Sequence, residues 1–135
     1  MENNETHPHG EITEKIIGVF FDVHNELGPG FLESVYHLSF AIALEQSGLK
    51  VQSDFEVPVF FRGFKVGDFE ADIVVEDAVL LELKAVREFD PAHEAQILNY
   101  LRATRFEVGL LMNFGPKPKF RRFAYANERK RLPEK

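Results

Sequence analysis

A chain of 135 residues, 44% hydrophobic and with 14 phenylalanines, can bury one core and is too short for two domains of ordinary size. It has no cysteine, which excludes a disulfide framework and a thiolate metal site, and no apolar run nears the ~20 residues that cross a bilayer. With a polar, acidic N-terminus in place of a leader and a net charge of −6, the expectation is a cytoplasmic protein with no membrane partner and no general attraction to phosphate.

Residues 1–10 lack apolar periodicity and are predicted to be a disordered tail in which His7 and His9 are inert. One domain is predicted over 11–126. It begins with an amphipathic helix from Glu11 to Leu27, where Ile12, Ile16, Phe20, Val23 and Leu27 recur at three- and four-residue steps. Gly28-Pro29-Gly30 ends it. A second helix is predicted from about Phe31 to Ser47. Leu32, Val35, Leu38 and Ile42 line one of its faces, and Glu33 shares a second stripe with Tyr36, His37, Phe40 and Leu44. An acid at a helix start gains from the macrodipole, but this aromatic company suggests that Glu33 faces inward, toward a partner. Residues 50–61 alternate Val51, Phe55, Val57, Val59 and Phe61 with other neighbours, the pattern of a strand buried on one side, and Pro58 makes it an edge strand. Arg62-Gly63 turns the chain into a strand from Phe64 to Val75.

The stretch from Phe69 to Val86 carries the chemistry. Two apolar runs, Ile73 to Val75 and Val79 to Leu83, flank the polar pair Glu76-Asp77, the predicted hairpin turn. Asp72, Glu82 and Lys84 interrupt this apolar background. Alternation puts Glu82 and Lys84 on one face and Leu81, Leu83 and Ala85 on the other, while a tight hairpin brings Asp72 opposite Glu82, within reach of one shared cation. Charges in strands this apolar are costly unless they neutralise one another or hold a metal. Glu70, two residues before Asp72, should share its face.

Asp90-Pro91 reads as the cap and first turn of a helix running to about Thr104. His93, Gln96, Ile97 and Tyr100 share one stripe of it, with Gln96 and Tyr100 four apart and side by side. Phe106 to Phe114 and Phe120 to Ala126 are predicted strands, separated by a turn at Gly115-Pro116. From Gly115 onward eight bases face two acids, a net of +6, against −12 over the preceding 114 residues. Residues 127–135 are predicted to be a basic tail, solvated unless it meets a polyanion. The order is helix, helix, three strands, helix, two strands: an α/β fold with a mixed sheet, of the α+β kind, whose third and fourth strands connect by a right-handed crossover.

Four motifs, Gly30-x-x-Glu33-x-x-Tyr36, Ala71-Asp72, Glu82-Leu83-Lys84 and Gln96-x-x-x-Tyr100, fall in that order between Ile12 and Phe123. Together they resemble the GxxExxY proteins, a group within the PD-(D/E)xK nuclease-like superfamily. The resemblance implies a restriction-endonuclease-like core of order ααβββαββ and a nuclease that hydrolyses DNA or RNA with Mg²⁺ or Mn²⁺. It makes Asp72 and Glu82 metal carboxylates, the Leu83 carbonyl a third oxygen, and Glu33 a further ligand or the holder of a water. Lys84 then positions the attacking water or stabilises charge on the phosphate, and Gln96 orients Lys84, the water or the phosphate. Tyr36 and Tyr100 are substrate contacts or packing residues whose hydroxyls find partners, and His37 and His93 read as satisfied structural histidines. Phosphodiester hydrolysis does call for a hard cation with oxygen ligands and retained waters. A second acid-x-Lys triplet, Glu128-Arg129-Lys130 in the charged tail, shows how little such a triplet says alone.

Two other readings stay open. One is a binding or regulatory domain that keeps the fold, with or without the ion, but not turnover, which the acidic body favours. The other is an unrelated α+β protein whose charges serve stability. A nucleic-acid partner follows from the nuclease reading, and the oligomeric state is unspecified, a homodimer being compatible.

Overall fold

The computed structural model describes residues 9–130. The predicted disorder of 1–8, His7 included, and the solvated tail of 131–135 lie outside the described residues. Helix α1 (Gly10–Leu27) buries Ile16, Phe20, Val23 and His24, and ends where Gly28 and Gly30 take φ of 75° and 102°. Helix α2 (Glu33–Gln46) buries Tyr36, Phe40 and Leu44. Then come β1 (Val51–Phe61), β2 (Phe64–Val75), β3 (Val79–Lys84), α3 (Pro91–Ala103), β4 (Val108–Asn113) and β5 (Lys119–Ala124). The five strands lie side by side in chain order. Only β3 and β4, linked by α3, are parallel. The predicted α+β order holds, Pro58 sits on an edge strand, and among the described residues no helix is long and apolar enough to cross a membrane.

Alternation along β3 and β4 sorts the core into two layers. Leu81, Leu83, Leu110 and Met112 pack beneath α1 and α2 with Phe20, Tyr36, Phe40 and Phe114, whereas Leu80 and Leu111 pack beneath Ile97 of α3. The hairpin between β2 and β3 turns on Glu76 and Asp77, both at positive φ, with the Ala78 amide donating to Val75 O at 3.0 Å, the geometry that suits strand twist. At the start of α3, Asp90 accepts from the Ala92 amide at 2.8 Å and His93 Nδ1 accepts from the Asp90 amide at 3.1 Å. His93 is therefore a capping residue.

Three expectations are corrected. The face of α2 carrying Leu32, Leu38 and Ile42 is open, with exposures of 76%, 67% and 55%, because α1 and the sheet cover the Tyr36 stripe instead. On β1 only Val57 is buried. The β1–β2 ladder extends to Phe61↔Phe64 while β2 meets β3 only at Ile73, Val74 and Val75, so the outer half is a two-stranded ribbon with Phe61, Phe64 and Val66 exposed. Alternation says which side a residue takes, not whether a layer lies over it. Finally, the chain stays on the body beyond 126. Asn127–Arg129 forms a 3-10 turn, and the Lys130 ammonium donates to the carbonyls of Thr104 and Phe106 at 3.0 and 2.7 Å.

Candidate active site

The β2–β3 ladder stops at Ile73↔Leu81, and at the next position the carboxylates replace it. The Asp72 amide donates to Glu82 Oε2 at 3.1 Å, and the Leu83 amide donates to Asp72 Oδ2 at 2.7 Å. Each acid takes an amide from the opposite strand, so the two are fixed relative to one another. Facing them on β1, Asp54 sits at φ 52°, and the β1–β2 register skips Asp54 and Asp72 here, as it shifts again between Val59 and Phe60. The alternation changes phase there: Phe69 and Ala71 pack in the same cluster as Val74. Such irregularities re-aim a side chain. They also remove the basis for Glu70 sharing the face of Asp72; Glu70 is exposed, across from Glu56.

Glu82 is 7% exposed. Burial, then the neighbouring charge of Asp72 and more weakly that of Glu33, lift its carboxyl to about 8, against partial relief from the Asp72 amide and Lys84. Glu33, at the start of α2, is exposed and does not face inward as expected, because only the stripe of Tyr36, Phe40 and Leu44 meets α1 and the sheet, yet its charge still shares one electrostatic field with Asp72, Glu82 and Lys84. Tyr100 of α3 joins them: burial and then the charges of Glu82 and Asp72 raise its phenol, and its ring stacks on Phe69 with centroids 3.5 Å apart. Gln96 is exposed one turn earlier, and no hydrogen bond joins it to Lys84 among the described residues.

Tyr36 has another position. It is fully buried, donates its hydroxyl to Gly28 O, accepts from the Phe31 amide at 3.3 Å and stacks on Phe114 at 4.8 Å. A side chain with no surface touches no polymer, so its substrate-contact reading gives way to a structural one: it fastens the turn that delivers Glu33. Tyr36→Phe keeps the ring and loses both bonds, and is expected to destabilise the protein by ~1–2 kcal/mol. In thermal unfolding this is a Tm lower by roughly 3–10 °C. His37, one turn beyond Glu33, keeps a buried Nε2 without a hydrogen-bond partner among the described residues, so it is not the satisfied histidine expected.

Two residues escaped sequence reasoning. Asn113, fully buried at the end of β4, accepts from the Val86 amide at 2.9 Å and donates to Val86 O at 2.8 Å. His24 Nε2 bonds Gly115 O at 2.8 Å. Both secure the chain where it leaves the parallel strands beside Lys84. An amide closing an otherwise apolar Val-Gly-Leu-Leu-Met run was the available signal for Asn113.

Among the described residues no three acidic or histidine side chains gather closely enough to cage an ion by themselves. Two locked carboxylates suit Mg²⁺, which keeps several waters and takes one or two carboxylates along with substrate oxygens. The proton that Glu82 holds up to about 8 marks the place where a cation would relieve the same repulsion.

A family model described as the PD-(D/E)XK nuclease superfamily matches residues 10–123. A crystal structure named SSO0001 superimposes with a TM-score of 0.56 at 20% identity, over 69% of this chain and 50% of that one. The chain thus spans half the length of that structure, and at this identity the likeness speaks to the fold alone. No curated protein matches.

Proposed function

The chain belongs to the PD-(D/E)XK nuclease superfamily, and on that premise we propose that it is a cytoplasmic, divalent-metal-dependent nuclease of the GxxExxY type, acting on DNA or RNA. The observation that supports this reading is the crossed pair of amide bonds that fixes the two carboxylates, Asp72 amide to Glu82 and Leu83 amide to Asp72, with Glu33 and Lys84 in the same field. Buried like charges are a poor stabilising device and a good donor set for a hard cation.

In this reading Asp72 and Glu82 hold the ion, with the Leu83 carbonyl and Glu33 as further oxygens. A bound ion supplies charge neutralisation at the phosphate and a more acidic water. Lys84, two residues beyond Glu82 on the same strand, donates to the attacking water or to the phosphate oxygen that gains charge. Tyr100, whose phenol is raised by burial and then by the charges of Glu82 and Asp72, offers a second donor to a phosphate oxygen. Gln96 offers its amide toward the polymer from the exposed side of α3.

Cleavage of single-stranded, duplex and flapped DNA and of RNA is the test. It is expected with Mg²⁺ or Mn²⁺ and absent in chelator, and Lys84→Ala is expected to slow it by ~10²–10⁴ with an unchanged circular-dichroism spectrum. Cleavage that persists in chelator or survives Lys84→Ala overturns the assignment. The second reading, a domain that keeps the fold and the ion without turnover, is favoured by the acidic body, a net of −12 over the first 114 residues, which repels a phosphate backbone. It expects calorimetric binding of Mn²⁺, lost when Asp72→Ala and Glu82→Ala are combined, and no cleavage of any substrate.

A further inference from the structure

We propose that the cleft where the chain leaves β3 and β4 is a nucleotide subsite, in which Phe31 stacks on a base flanking the scissile phosphate and Arg87 meets a neighbouring phosphate. It rests on the nuclease reading above and adds where the polymer is gripped. The cleft is an opening of about 570 Å³ between three chain segments: 29–31 before α2, 85–87 after β3, and 114–116 after β4.

Each wall is pinned from behind by a buried polar side chain. Tyr36 holds the first through Gly28 O and the Phe31 amide, Asn113 the second through both backbone groups of Val86, and His24 the third through Gly115 O. The second and third walls also touch directly: a Cβ on Gly115 would fall 2.0 Å from Val86 O. Loops at strand exits are ordinarily the more mobile parts of a fold. Two such exits and the turn between α1 and α2, each held by a buried side chain around one opening, form a preorganised cleft. It lies at the carboxyl ends of the parallel pair β3 and β4, where open sheets with crossover helices place ligands.

Continuity and charge identify the occupant. Phe31 is two residues from Glu33, whose charge reaches Glu82, and Ala85 follows Lys84 on the opposite side of the strand, so the cleft lies around the end of β3 from the proposed reacting centre. Phe31 is 48% exposed, and its ring is braced edge-on by Tyr36 at 6.1 Å and 81°. A fixed, exposed ring is what a base stacks on, whatever its identity. Arg87 is exposed on the opposite wall, so the rim offers a cation to a phosphate. A nucleobase with its phosphate is the chemistry shared by DNA and RNA.

Short single-stranded DNA and RNA oligonucleotides carrying 2-aminopurine beside the cleaved position test the proposal, with binding read on Lys84→Ala by anisotropy and turnover read on proteins with intact Lys84. Phe31→Leu and Arg87→Ala are each expected to weaken binding about tenfold and to raise KM with little change in kcat. Phe31→Leu should also restore the 2-aminopurine fluorescence that stacking quenches, while Phe31→Trp and Arg87→Lys keep most of the affinity. The arm that responds, DNA or RNA, names the polymer. Unchanged affinity in both variants, with cleavage still dependent on Lys84, overturns the subsite and leaves the nuclease reading in place. Absence of both binding and cleavage in the unaltered protein overturns both.

Discussion

Glu82→Gln is expected to make the metal-free protein more stable at pH 8 while slowing cleavage at least ~10²-fold. The Glu82 carboxyl is lifted from the usual 4.5 to about 8, first by burial and then by Asp72. Below about pH 4.5 folded and unfolded chains both carry this proton, and its full stabilising contribution is present. As pH rises, the unfolded chain releases the proton while the folded one must keep it or bury a charge. Stability is therefore lost progressively until the folded group has titrated near 8, a loss on the order of a few kcal/mol. Glutamine still accepts from the Asp72 amide but carries no charge at any pH. In chelator, the stability difference between variant and unaltered protein should grow from near zero at pH 4.5 to a few kcal/mol at pH 8.5, read by urea unfolding. A difference that stays flat would show that Glu82 does not sit in the field described. Mn²⁺ should raise the Tm of the unaltered protein more at pH 8 than at pH 5, because at low pH it competes with the proton. The glutamine variant should gain little Tm and lose at least ~10² in cleavage rate.

Gly115→Ala is expected to be among the most damaging single methyl additions in the protein. The new Cβ would meet Val86 O at 2.0 Å and Asn113 Nδ2 at 3.0 Å. The first contact is backbone and cannot rotate away, and moving it breaks the paired bonds between Asn113 and Val86, leaving buried polar groups without partners. A loss of ~3–5 kcal/mol follows, a large share of the 5–15 kcal/mol by which domains are ordinarily stable. Gly109→Ala is the control. Its Cβ meets only side-chain ends, Ile97 Cδ1 at 3.1 Å and Leu101 Cδ2 at 3.4 Å, which can shift by a few tenths of an ångström, so ~1–2 kcal/mol is expected. Thermal unfolding compares them directly, and equal losses at the two glycines would mean that the strand exits do not press together.

Much of the architecture was legible because local rules and tertiary packing agree. The three- and four-residue steps of Ile16, Phe20 and Val23 describe the buried side of α1, Asp90-Pro91 opens α3 as a capped helix, and the turn at Glu76-Asp77 sets the register that brings Asp72 to Glu82. Where two answers are locally equivalent, the sequence is silent. The α2 stripes of Leu38 and of Tyr36 are both apolar, and only the position of α1 and the sheet decides that Leu38 stays open. The ribbon of Phe61 and Phe64 alternates as a buried strand does, yet no third strand reaches it. His24 and Asn113 act across long separations in the chain on backbone atoms, and a backbone carbonyl leaves no trace in residue identity.

The strands bearing the acid pair are joined by three residues, 76–78, and meet as neighbours in the sheet. Loop closure between Asp72 and Glu82 is therefore short, and their mutual placement depends on contacts local in the chain. What shares the field of the pair arrives from far away: Tyr100 on the crossover helix and Glu33 on α2. The molecule is modular in that sense, with a hairpin that sets the acids' positions by itself and a frame from distant segments that tunes their charge, as Glu33 does for Glu82.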